Sequence, residues 1–212
     1  MTLLKRFRLM VLALLFMPAM AHAEAPVALI TEWSGVDDPR FTAYSEILPG
    51  TTIELGAVGK MTFVQYRNCQ EMTATGGTIT ILAEGFSMAN SVVTGSKQGC
   101  PQLVRLTSST AMTGGLVLRG TPHILQLPTH PIVAVAGAKA SHYTSVAFVA
   151  DGTPATEAKL TNGRATIPAG DKGLIAGGSY QLVLKGQGVP DFTLPAQVSN
   201  AETGSLAVLK ID

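Results

Sequence analysis

The chain has 212 residues, 46% of them hydrophobic and only 14% charged, with 15 Lys+Arg against 14 Asp+Glu. Such a near-neutral chain, its charges dispersed, lacks the basic face that nucleic acid requires and the polybasic cluster that anionic lipid attracts. Charged residues make up about a quarter of typical globular proteins; here Gly, Thr and Ala fill the difference, as in many exported β proteins.

Lys5, Arg6 and Arg8 form a short positive region, Leu9 to Met17 is apolar, and Pro18 precedes Ala21-His22-Ala23. A charged start, a short apolar core and an A-x-A site predict a secretory signal peptide over 1–23, cleaved before Glu24. The alternative is an uncleaved N-terminal anchor, but the apolar run falls short of the roughly 20 residues a spanning helix needs. No Cys follows the cleavage site, so no lipid anchor is offered there. The leader holds three basic residues and no acid, which leaves 12 basic against 14 acidic residues and a net charge of −2 over the remaining 189. No later stretch approaches membrane-spanning length. The expected location is periplasmic or secreted.

Helical periodicity is nearly absent after the leader, and short β-branched runs alternate with Gly, Pro and Asn punctuation. The segment Pro26 to Trp33 starts with an apolar run. Thr51 to Leu55 and Lys60 to Tyr66 read as strands, with Gly56-Ala57-Val58-Gly59 as the loop between them. Gln70 to Ala74 and Thr78 to Ala83 read as a hairpin turning at Gly76-Gly77. Asn90 to Val93, Leu103 to Leu106, Leu116 to Arg119 and Ile124 to Leu127 are shorter strand candidates. Pro122, Pro128 and Pro131 then make a stiff stretch, since each ring fixes φ and removes a donor. Beyond it, Tyr143 to Ala150 reads as a strand ending at Asp151-Gly152. Ala158–Thr161 and Arg164–Ile167 flank Asn162-Gly163, a pair suited to a type I′ turn. Leu174 to Gly178 leads into a strand at Tyr180 to Leu184, and Ser205 to Ile211 is the last. Strands about 8–12 residues apart predict a β-sandwich.

Cys69 and Cys100 are the two cysteines of the chain. In an oxidising compartment an even count predicts a disulfide. It would close a loop of about 30 residues, worth roughly 3–4 kcal/mol in the chain-entropy model. A metal or redox pair is the competing reading, but C-x-x-C spacing is absent and no His lies between them.

Ile47-Leu48-Pro49-Gly50-Thr51-Thr52-Ile53-Glu54-Leu55-Gly56, followed by Lys60-Met61-Thr62-Phe63, resembles a FecR-like domain over residues 47–83. That family's pattern is a unit of Pro-Gly-Thr, strand, Gly-containing turn, apolar strand, Asp-Gly turn and strand, found in periplasmic sensors and secreted proteins. Here Asn68-Cys69-Gln70-Glu71 and Gly76-Gly77 stand in place of the Asp-Gly hairpin. Residues 128–212 resemble the Ig-like or fibronectin-like sandwich often appended to such domains, without the internal Cys pair and buried Trp of antibody domains. FecR itself signals through a membrane span to a sigma factor; no such span follows the leader, so that mechanism does not carry over.

Candidate chemistry is sparse. Ser87 in Gly85-Phe86-Ser87-Met88-Ala89 is one residue short of G-x-S-x-G, a motif that needs a strand–turn–helix elbow in an α/β sheet; a turn serine is the simpler reading. His123, His130 and His142 are spaced 7 and 12 apart and share neither a helix face nor alternate strand positions; a loop-built zinc site from His123, His130 and an acid is the alternative. Asp37-Asp38 reads as a turn initiator rather than a catalytic pair, since a glycosidase needs two carboxylates set across a cleft. Gly114-Gly115 and Gly177-Gly178 precede no helix start or G-K-[ST], so neither is a phosphate loop. Trp33, Tyr44 and Phe86, with Phe41 and Tyr143, could form an aromatic contact surface, although core packing is the common fate of such rings.

The expected architecture is all-β: a signal peptide (1–23), a FecR-like β domain (24–121) holding the disulfide, a proline-rich seam (122–131) and an Ig-like sandwich (132–212). The expected function is a non-catalytic binding or scaffold module contacting an envelope protein or polymer, with no cofactor and no metal. The alternatives are an extracytoplasmic sensor subunit acting with a membrane signalling partner, or a serine or metal-dependent hydrolase.

Overall fold

The computed structural model of the protein describes residues 24–97, 99–106, 124–168, 173–199 and 206–211. The signal peptide, the strand expected at Leu116–Arg119, His123 and Gly114-Gly115 lie outside these residues. The described chain is all-β, in three sheets, and none of its helices is long and apolar enough to cross a membrane.

The first sheet uses β1 (Ala28–Ser34), β2 (Glu46–Ile47), β3 (Thr51–Gln65), β4 (Gln70–Leu82), β5 (Gly85–Ala89) and β6 (Val92–Lys97). Its order is β2-β1-β3-β4-β5, and β6 also pairs with β4. Two sequence expectations are corrected here. Gly56 to Gly59 does not separate two strands: β3 runs through it, and the register against β4 skips from Gly56↔Gly77 to Lys60↔Thr75. Nor is Gly76-Gly77 a hairpin turn, because β4 continues across it. Both glycine groups instead mark a corner. On β4, Met72 lies opposite Phe63 and Ile81 lies opposite Phe86. Nine residues of straight strand would separate those positions by about 30 Å, yet the Phe63 and Phe86 rings meet edge-to-face at 6.0 Å. The sheet therefore doubles over on itself. Its inner faces share one core that includes Ile30, Ile53, Leu55, Met61, Phe63, Met72, Ile79 and Ile81. Gly77 sits at the corner with φ +64°, and a Cβ there would lie 2.3 Å from the Asn90 carbonyl oxygen. The Ser91 hydroxyl donates to the carbonyls of Gly76 and Thr78, which flank the break in the ladder.

The other two sheets face each other. One combines β8 (Leu125–Leu127), β10 (Tyr143–Ala150), β11 (Thr153–Lys159), β13 (Ser179–Gly186) and β14 (Phe192–Val198), in the order β11-β10-β13-β14-β8. The second combines β7 (Gln102–Leu106), β9 (Ile132–Ala136), β12 (Arg164–Thr166) and β15 (Leu206–Ile211), in the order β12-β9-β15-β7. Alternation along β13 and β14 points Tyr180, Leu182, Leu184, Phe192, Leu194, Ala196 and Val198 inward, as a period of two requires. β10 and β11 turn at Asp151-Gly152, and Asn162-Gly163 makes its two-residue turn with φ of 51° and 73°. That turn is not the centre of a long hairpin. It closes on a single bridge, Thr161↔Arg164, after which β11 and β12 belong to different sheets. Leu174 to Gly178 leads into β13 through a turn, as expected.

Pairing of β15 with both β7 and β9 is parallel, as is that of β14 with β8. This explains the unbroken apolar run Leu206-Ala207-Val208-Leu209. Ala207, Leu209 and Ile211 enter the sandwich core. Leu206 and Val208 point the other way and join Leu29, Tyr44 and Ala134 in a small cluster under the bent sheet. Strands buried on both faces read as continuous rather than alternating hydrophobic runs.

Among the described residues, sheet membership changes between Lys97 and Gln102, upstream of the proline-rich stretch where the sequence reading sets its boundary. Pro128 to Pro131 instead carries the chain from β8 to β9, that is, from one sandwich sheet to the other.

Candidate functional site

Ser87 stands exposed in the middle of β5, opposite Thr80. It extends a cross-strand row in which the Thr52 and Thr80 hydroxyls lie 2.9 Å apart. Strand continues on both sides of it, so no strand-to-helix elbow forms there. His130 is exposed, its Nδ1 3.0 Å from the Thr129 hydroxyl. His142 is exposed in a single 3-10 turn ahead of β10. Among the described residues, no group of three or more His, Cys, Asp or Glu side chains is placed to hold a metal ion. Asp38 accepts hydrogen bonds from the backbone N–H and guanidinium of Arg40. The Arg40 side chain holds the Asp38 carboxyl below the usual carboxylate range, against a smaller upward push from burial. The pair closes a turn, as Asp before Pro-Arg suggests.

The aromatic residues do not converge on one surface. Trp33 is half-buried against Phe41, ring centroids 5.9 Å apart, with the Arg40 guanidinium 5.1 Å over the Phe41 ring. Phe86 packs on Phe63 inside the fold of the bent sheet. Tyr44 is only 7% exposed and lies between the bent sheet and the sandwich; burial pushes its phenol up. Trp33 and Phe86 thus flank one core and Tyr44 belongs to another cluster.

Cys69 and Cys100 form the expected disulfide, with Cα atoms 4.6 Å apart. The Tyr66 carbonyl lies 3.7 Å from Cys100 Sγ, and the Tyr66 hydroxyl is buried and bonds to no described group. Its burial, reinforced by Glu46 and opposed by Arg105, raises the Tyr66 pKa to about 12. Glu46 and Arg105 form an ion pair from β2 to β7, across the junction of the bent sheet and the sandwich.

What remains open is backbone. β5 and β6 both pair with β4 on one side, and among the described residues no strand pairs with their other side. From Gly85 to Ser96 there is no charged residue and no proline. Proteins blunt their edges with Lys, Pro or very short strands. Of the other described edges, β11 carries Pro154, Glu157 and Lys159, β2 has two residues, β12 and β8 have three each, and β7 has five with Arg105 among them. Met88 is 56% and Val92 69% exposed. Where the two edge strands meet, Glu54, Gly56, Thr78, Gly77, Asn90 and Val92 line a groove of about 660 Å³. Sequence reasoning passed over this edge, although the run of twelve uncharged residues between Glu84 and Lys97 is visible in the chain. Only the pairing pattern shows that nothing described covers it.

The chain matches no protein-family model and no curated protein. Its functional reading therefore rests on its own residues.

Proposed function

We propose that this protein is a non-catalytic binding or scaffold module of the bacterial cell envelope or secreted space, which takes an extended segment of a partner protein onto the open edge of β5 and β6. The observation that carries the reading is an edge that is unpaired among the described residues, uncharged and free of proline, whereas every other described edge is very short or carries a charge or a proline. Such an edge offers a row of backbone N–H and C=O groups, and strand addition satisfies them while neighbouring pockets read alternate side chains. The glycine-lined groove beside Val92 supplies one such pocket.

The FecR-like pattern of residues 47–83 and the Ig-like sandwich expected for residues 128–212 support a role in extracytoplasmic recognition. The parallel pairings of β14 and β15 depart from an antiparallel Ig-type sandwich, so the sandwich class is what carries over. The leader-like residues 1–23 and the Cys69–Cys100 bridge support a periplasmic or secreted location.

The test is photo-crosslinking in cells from a probe at Thr94, on the exposed face of β6, followed by mass spectrometry of the envelope fraction. One reproducible partner is expected, lost when Val92→Lys and Met88→Lys add charge to the edge. Persistence of the same crosslinks in that double variant would remove the edge from the mechanism. A membrane signalling protein as the partner would make the chain a sensor subunit acting in trans.

A further inference from the structure

We propose that the groove at the corner of the bent sheet takes the ammonium group of a lysine, carried by the extended segment that adds to β5 and β6. The inference rests on strand addition at that edge and names the side chain that the edge selects. β5 and β6 are two arms of one bent edge joined at Asn90-Ser91, and the groove lies at that joint. Gly76 helps to line it, with a left-handed φ of 68° and no side chain to fill the space. The point where its Cβ would stand is 3.5 Å from the carbonyl oxygens of both Gly56 and Ala57, and 3.9 Å from that of Asn90. These oxygens come from two separate segments, the corner of β3 and the joint of β5 and β6. Over Gly77 the corresponding point is closer still to the Asn90 and Ala89 oxygens, at 2.3 and 2.4 Å. Carbonyl oxygens thus crowd around the glycine pair.

The charge of the groove agrees with this. Among the described residues that line it, only Glu54 is charged. Glu54 is exposed and forms no ion pair among the described residues. Nearby cations are engaged elsewhere. Arg40, which senses the Glu54 charge, is held by Asp38 at 2.7 Å. Lys60, where β3 resumes its pairing with β4, lies 3.6 Å from Glu32.

Oxygen acceptors beside one carboxylate favour a cation that brings its own hydrogens. An ammonium carries three donors on a compact charge, which suits three oxygens set about one point. A guanidinium is a planar fork matched to the two oxygens of a carboxylate. Calcium demands six to eight oxygens at about 2.3–2.6 Å, a tighter cage than oxygens 3.5–3.9 Å from a common point provide. An added strand runs about 4.8 Å beyond the edge, and the four-carbon stem of lysine spans that distance. On the core-facing side of the same edge, Met88 lies opposite Ile79 and is 56% exposed. The period of two along the segment therefore places apolar residues on either side of the lysine.

The experiment titrates the isotope-labelled full chain with n-butylammonium chloride, a lysine side chain without its backbone, and follows backbone amide NMR. n-Butylguanidinium and calcium chloride are the comparison probes. The expected result is saturable shifts centred on Gly76, Gly77 and Asn90, tighter for butylammonium than for butylguanidinium. Glu54→Gln should weaken binding roughly two- to fivefold, the worth of an exposed ion pair. Gly76→Ala should abolish it by filling the space, and circular dichroism checks that both variants keep the fold. Dispersed shifts, shifts insensitive to Glu54→Gln, or calcium binding more tightly than the amine at these residues would each overturn the lysine site. The titration needs no partner, so its failure leaves strand addition standing. Thr94 crosslinks to a segment with no lysine beside the contact would also sink the lysine site alone. Crosslinks that persist in the Val92→Lys/Met88→Lys variant would instead remove strand addition, and the lysine proposal with it.

Discussion

At the scale of single residues, Gly77 and Tyr66 carry constraints that their neighbours do not. Gly77 holds a left-handed φ while its Cα faces the Asn90 and Ala89 carbonyls. Gly77→Ala should destabilise the protein by at least about 1–2 kcal/mol from the backbone alone, with the clash added, as measured by urea unfolding. Tyr66 is the opposite case, because its hydroxyl is buried and bonds to no described group. Such a group costs about 1–3 kcal/mol, so Tyr66→Phe should raise stability by about 1 kcal/mol in the same assay. The hydroxyl also sets a pH limit. Its folded pKa, about 12, stands above the ordinary tyrosine value of about 10. The neutral form is therefore favoured on folding, and its contribution is complete below pH about 10 and lost as pH rises toward 12. An absorbance titration should show one tyrosine ionising near 12, absent in Tyr66→Phe.

At the scale of elements, β15 and β6 differ in what a substitution does. Leu209 on β15 is fully buried in the sandwich core, and Leu209→Ala should cost about 2–5 kcal/mol in denaturant midpoints. β6 is an edge, so Val92→Lys should change stability by less than about 0.5 kcal/mol, although the proposed partner is lost. A larger loss of stability would mean that Val92 supports the fold and is no measure of the edge. β14 shows why element assignment from sequence fails where it does. Its Pro195 argues against a strand, and the run Phe192–Val198 was not expected to form one. The structure accommodates it because β8 pairs only with Ala196 to Val198, leaving the first part of β14 as an edge, where proline is tolerated.

At the scale of the whole molecule, the bent sheet and the sandwich share a seam, and the disulfide ties the residues before β7 to the turn between β3 and β4. The bridge spans 31 residues, and its loss should lower the melting temperature through an unfolded-state term of about 3–4 kcal/mol. Calorimetry on the reduced chain is the check: an unchanged midpoint would deny that term. By itself the sequence determined the all-β class, the pairing of Cys69 with Cys100 and the type I′ turn at Asn162-Gly163. Each rests on local physics: β-branched periodicity, the chemistry of two thiols, and a φ preference carried by two adjacent residues. Only the tertiary structure decided that Gly56–Gly59 and Gly76-Gly77 form one corner rather than two turns, that Tyr44 is buried in a seam, and that described sheet membership changes between Lys97 and Gln102. The physical reason is that a glycine pair permits a reversal or a bend equally well. Which occurs depends on whether Phe63 and Phe86, twenty-three positions apart in the chain, gain more by packing together than the strand loses by folding over.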